Sequence, residues 1–233
     1  MYNTNQTIEL LKQIGVLTVD MRDAFVRGTP QLLYSDKDAV YMIHGCGVYM
    51  LWAKDGYSAE KALHTFDKPA PLTVIHGKEA YGAFKDKYHM ENDEGFCLQY
   101  SWNKKEKFSI PDICSIRELT NADIPFVQSY YHLANDTEYL QERIAAGELY
   151  GAVVDGKLAG FIGSHSDGSI GMLEILPEFR RRGLATVLEH YQMNRHMDKG
   201  WTPYGQVFIN NPESIALQRK IGLEVSQDII CWV

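Results

Sequence analysis

Long apolar runs are missing from this sequence: no segment approaches the ~18 consecutive apolar residues that would cross a bilayer as a helix. No membrane partner is expected. Cysteine is sparse, and the four copies, Cys46, Cys97, Cys114 and Cys231, are dispersed without a CxxC pair. That pattern argues against a disulfide framework or a zinc site and predicts buried thiols. Positive charge is in deficit, with 23 Lys and Arg against 30 Asp and Glu and a formal net charge of −7. A nonspecific nucleic-acid binder is therefore not expected. The opening MYNTNQTIELLKQIG has no basic stretch followed by an unbroken apolar one. The expected address is cytoplasmic, without a secretory signal. Heptads, low-complexity tracts and short repeats are also wanting, which removes coiled coils and solenoids.

What is present is a chain of 233 residues, 45% hydrophobic and 12% aromatic. Such a composition buries a core and fits one large domain or two small ones. In the first part, an amphipathic start at Ile8, Leu10, Leu11 and Ile14 predicts a helix, and 39–43 and 48–52 around His44-Gly-Cys-Gly47 predict a hairpin. Short strands are expected at 31–34, 71–75 and 96–102, with a helix at 78–88 whose Tyr81, Phe84 and Tyr88 belong to the core. The charged stretch 103–107, then Ser109-Ile-Pro-Asp112, interrupts the periodicity and marks a linker. It divides the chain into an α/β domain over 1–110 and a second domain over 111–233.

The second domain reads as a strand at 114–119, a helix start at Thr120 with Asp123, and a helix over 138–146 that Gly147 ends. A hairpin of 149–154 and 158–163 turns on Asp155-Gly156, where both positions need positive φ. A strand at 170–176 runs into Pro177-Glu-Phe-Arg-Arg-Arg-Gly183 and a helix carrying Leu184, Val187, Leu188 and Tyr191 at helical spacing. A strand at 204–209, a helix at 213–221 and a strand at 228–233 close the chain. His190 and His196, six apart, fall on different helix faces and read as surface residues, not metal ligands.

The basic turn carries the chemistry. A helix start exposes unpaired N–H groups and the positive end of its dipole, glycine lets the backbone approach closely, and arginines add charge. A pyrophosphate fits such a place. The turn has the spacing Arg180-x-x-Gly183-x-Ala185, and a second feature follows, Asn211-Pro-Glu-Ser214-Ile-Ala-Leu217-Gln-Arg-Lys220-Ile-Gly222-Leu223.

These residues resemble the GNAT superfamily of coenzyme A dependent N-acyltransferases, whose cofactor loop reads [QR]-x-x-G-x-[GA]. Arg180, Gly183 and Ala185 match that loop; Asn211, Ser214, Leu217, Lys220, Gly222 and Leu223 match the family's later helix. The phrase from Gly168 to Arg180, with Trp232 near the end, is similar to the glycine N-acyltransferase-like branch. The resemblance covers about residues 113 to 233. It implies an α/β (α+β) GNAT fold with a mixed, mostly antiparallel sheet flanked by helices, preceded by a smaller, degenerate and noncatalytic GNAT-like domain. It further implies that the backbone of Leu173 and Ile175 pairs with the pantetheine arm. Amides of Arg181, Arg182, Gly183, Leu184, Ala185 and Thr186, beside Arg180, hold the pyrophosphate, and Asn211 and Ser214 lie along the pantetheine.

Two positions depart from the family pattern. Where many relatives place a glutamate base stands Ser169, and where many place a tyrosine acid stands Gln218, which has no titrating proton. Glu174, on the same strand as Leu173 and Ile175 but pointing to the other face, is one candidate base. His165, with its near-neutral intrinsic pKa, is the rival. The acid stays open among Ser214, Tyr191, water and none. The expected function is transfer of an acetyl or short acyl group from acyl-coenzyme A, without a metal, to a small-molecule amine or amino acid. The alternative is a catalytically degenerate coenzyme A binding regulatory or sensor module. Monomer and homodimer both fit.

Overall fold

Residues 2–28, 30–90 and 95–233 are described by the structure, a computed structural model. They divide into two units, one made of 1–102 with 206–233 and one of 103–205. The first unit opens with α1 (Thr4–Ile14) and α2 (Val19–Arg27), then β1 (Gln31–Ser35), β2 (Ala39–Ile43), β3 (Tyr49–Ala53), α3 (Gly56–Leu63), β4 (Thr73–His76), α4 (Lys78–Tyr88) and β5 (Phe96–Ser101). The second unit holds β6 (Ser115–Glu118), α5 (Ile124–Tyr130), α6 (Thr137–Ala145), β7 (Leu149–Val154), β8 (Lys157–Ser164), β9 (Ile170–Ile175), α7 (Leu184–Asp198) and the start of β10 (Tyr204–Phe208). The chain then returns to the first unit with α8 (Pro212–Ile221), β11 (Glu224–Val225) and β12 (Ile230–Trp232).

In the first unit the period of two along β2 and β3 supplies two cores at once. Tyr41, Leu51 and Ala53 enter one buried cluster with α3 and α4 residues such as Ala59, Leu63, Phe84 and Tyr81. Val40, Met42, Met50 and Trp52 enter another with Leu11, Met21 and Ala24 of α1 and α2. Both faces of these strands are covered, which is why 39–43 is apolar without a polar alternate. β1, β2 and β3 pair antiparallel, β3 and β4 parallel, and β12 lies antiparallel to both β4 and β5.

Helices α2 and α3 escape the sequence pattern for physical reasons. α2 buries Asp20 and Asp23 on the face where periodicity demands apolar residues. α3 is eight residues with Ala59 and Ala62 as its contact positions, started by Asp55 accepting the Ser58 N–H at 2.8 Å. The thiols also divide: Cys97 and Cys231 are buried, but Cys46 is exposed and Cys114 half-buried, correcting the expectation of four buried cysteines. Burial, with Cys231 adding, pushes the Cys97 thiol up to about 12.

In the second unit β6, β7, β8 and β9 pair antiparallel, and β10 meets β9 in parallel at Gly205 against Ile170. The Asp155-Gly156 hairpin forms as predicted, with φ of 50° and 74°. Thr120 and Asp123 complete a capping box. His196 overturns its surface assignment. It is wholly buried, its Nε2 2.7 Å from the Ser164 hydroxyl, which also accepts from the Gln192 amide at 2.7 Å. His190 stacks on Phe108 with ring centroids 4.2 Å apart. α7 therefore turns polar residues, Glu189, Gln192 and His196, inward. Among the described residues no helix is long and apolar enough to cross a membrane.

Candidate active site

β9 is interrupted where the chemistry is expected. Gly163 pairs with Gly171 and Phe161 with Glu174, so β9 carries one residue more than β8 between those pairs, and Met172 takes a positive φ of 51°. Such a bulge re-aims the strand that follows. Leu173, Glu174 and Ile175 are all partly exposed beyond it, and Glu174 lies 4.0 Å from the Arg180 guanidinium.

The strand ends at Ile175, and after Leu176 Pro177 opens a single turn to Phe179. Arg180 then turns back: its Nε donates to the Ile175 carbonyl at 2.9 Å. Arg182 donates to the Glu178 carbonyl at 2.8 Å and lies 5.3 Å over the Phe179 ring. Arg181 and Gly183 both have positive φ, 64° and 87°, and Gly183 caps α7 with no side chain bonded to its first amides. The N-terminus of a helix of 15 residues thus begins beside three exposed arginines with its amides uncapped by any side chain. Such a helix start has the geometry and charge to accept an anion. Leu184 is buried; Ala185 and Thr186 are partly exposed.

His165 is placed differently from a free base. Its Nδ1 lies 2.9 Å from the Tyr139 hydroxyl and its Nε2 3.4 Å from the Tyr131 hydroxyl. The ring stacks on Tyr139, and Gly171 makes room for it, since a Cβ there would meet Nε2 at 2.8 Å. Burial pushes the imidazole below the ordinary histidine value; Asp167 opposes this and Arg143 adds to it. Burial pushes both phenols up, and the Glu174 charge adds to the effect at Tyr131. Tyr131, His165 and Tyr139 are therefore neighbours. Ser169 is buried, its N–H and hydroxyl both given to Asp167 Oδ1 at 3.1 and 2.8 Å.

Asn211 and Ser214 lie in the other unit, where Asn211 Oδ1 accepts the Ser214 N–H at 3.0 Å and starts α8. Gly222 ends the same helix with φ of 86°, and Gln218 is buried. Several positions of the later motif thus do capping work. Sequence reasoning placed 130–136, and with it Tyr131, near the acceptor pocket but missed Tyr139, because an aromatic residue in a short helix carries no pattern that sets it apart from core.

Residues 149–233 match the family model described as FR47-like protein. A Drosophila protein of known structure is 17% identical over 99% of this chain and 95% of its own, with a TM-score of 0.65. A GCN5-related N-acetyltransferase from Kribbella flavida is 12% identical, with a TM-score of 0.55 over 94% of this chain and 93% of its own. A GNAT-family acetyltransferase from Colwellia psychrerythraea gives the same identity and score over 99% and 97%. The chain has the GNAT fold. No curated protein sequence matches it. The FR47-like match lies within 149–233, and these neighbours show the fold. Because two neighbours with the GNAT fold run nearly the full length, the likeness extends well beyond 149–233.

Proposed function

We propose that the protein transfers an acetyl or other short acyl group from acyl-coenzyme A to the amine of a small molecule or amino acid. The observation that carries this reading is the start of α7, whose amides have no side-chain cap behind a turn with left-handed Arg181 and Gly183 and three exposed arginines. These residues fit a pyrophosphate in charge and donor supply. Arg181 to Thr186 would hold it, the backbone of Leu173 and Ile175 would bind the pantetheine arm, and Asn211 and Ser214 are assigned to the same cofactor on their motif alone. The thioester supplies the activated acyl group; the chain supplies position and a way to take the proton. Glu174, partly exposed beyond the bulge, is the carboxylate assigned to orient or deprotonate the amine.

Residues 1–110 are the noncatalytic half in this reading. The test is turnover of acetyl-coenzyme A against a broad amine panel, alongside direct binding. A second reading, a coenzyme A binding module without turnover, is favoured by one observation: the Ser169 hydroxyl is committed to Asp167 and buried, so this position offers no base. Saturable binding with no amine accepted selects it.

A further inference from the structure

The group around His165 forms a connected chain of titratable hydroxyls and ring nitrogens that the proposed reaction has not used. The Tyr139 oxygen already accepts the Ser166 amide at 3.3 Å. Burial pushes both phenols up, so both keep their protons. Each hydroxyl faces one nitrogen of the same imidazole, at 3.4 and 2.9 Å. A neutral imidazole offers one donor and one acceptor. One tyrosine therefore donates to the ring and the other accepts from it, giving a single directed chain. Its ends differ: Tyr131 is buried in the same cluster as Met172 of the β9 bulge, and Tyr139 is partly open to solvent.

We propose that Tyr131, His165 and Tyr139 form a proton relay that carries the acceptor amine's proton from the reacting centre to solvent, with Tyr131 touching the amine and the other two positioned behind it. This rests on the acyl-transfer reading, with Glu174 orienting the amine and Tyr131 taking its proton. The amine nitrogen forms a bond to the acyl carbon, the carbon–sulfur bond breaks, and the thiolate leaves with coenzyme A. The proton released by the nitrogen moves onto the Tyr131 oxygen as the Tyr131 proton moves to His165 Nε2. The Nδ1 proton passes to Tyr139, whose own proton goes to water. No side chain ends with a changed charge, and the ring ends as the other neutral tautomer. The charged groups acting on the ring are Asp167 and Arg143, and the Glu174 charge acts on Tyr131. Hydrogen bonds in such chains tighten when substrate binds, which the longer 3.4 Å link allows.

The experiment uses the full-length chain, first titrated with acetyl-coenzyme A and then assayed with the amine panel. Tyr139→Phe keeps the ring packing and removes the hydroxyl; His165→Ala removes the relay's centre and leaves space for imidazole. The expected result is unchanged acetyl-coenzyme A affinity and KM, with kcat lowered about 10²-fold in both variants. Rates of the variants should climb with pH where the wild type is flat, and added imidazole should restore His165→Ala. Wild-type kcat in both variants overturns the relay. So does a loss that imidazole leaves untouched, or ring ¹⁵N resonances of His165 that are both imidazolium-like near neutral pH. Absence of acetyl-coenzyme A binding by the wild type is a separate outcome, seen before any variant is made, and it overturns the acyl-transfer reading underneath.

Discussion

Gly183 and His165 show how much single residues decide here. Gly183 sits at φ of 87°, where a side chain is strained whatever the space, and a Cβ would lie 3.6 Å from Ile113. Gly183→Val should therefore weaken acetyl-coenzyme A binding by at least tenfold, a loss of about 1.4 kcal/mol, with the rest of the fold intact by circular dichroism. Unchanged affinity removes the turn from the binding site. His165 makes a pH prediction. Its folded pKa is lowered, so the unfolded chain takes up the proton first, at about 6.5. Stability is full above that value and falls as pH drops below it toward the folded pKa. Chemical denaturation across that range checks the sign, and His165→Gln should flatten the dependence.

At the scale of elements, what was legible was whatever followed a period or a turn rule. The Asp155-Gly156 hairpin, the Thr120 cap, the helix stop at Gly147 and the strand-turn-helix around Arg180 all obey local chemistry, and the structure has them. α2 was illegible because its buried face carries Asp20. That carboxylate accepts from His76 Nε2 at 2.8 Å, the Gln99 amide at 2.9 Å and the Met21 N–H at 2.8 Å, all fully enclosed. Burial alone pushes Asp20 up, but the His76 charge and these bonds outweigh it and hold it below the ordinary carboxylate value. Asp20→Asn should cost about 3–5 kcal/mol in unfolding free energy, because it strips the charge from a buried, fully bonded partner. A shift of the denaturation midpoint under about half that size denies the pair its role. The same lowering adds stability that is present above about 3.9 and is lost as pH falls through the folded value.

For the molecule as a whole, the return of the chain matters most. Sequence reading marked a boundary at 110, and the motifs it found lie in 111–233. The structure divides the chain at 102 and again at 205, and β11 and β12 pair with β4 and β5 of the first segment. No local pattern announces such a return, since the pairing partners are more than a hundred residues away. A fragment of 111–233 would expose β12 without its neighbours, and it should be insoluble or lack a cooperative thermal transition. A stable, cooperatively melting fragment contradicts that. The central claim is that the turn before α7 is built for the diphosphate of coenzyme A. Its most direct test is calorimetric titration of acetyl-coenzyme A into the full-length chain, with 3′-dephospho- and desulfo-coenzyme A as comparison ligands. Saturable binding that survives loss of the thioester and weakens at least tenfold in Gly183→Val is the predicted result; no binding of any of the three would contradict it.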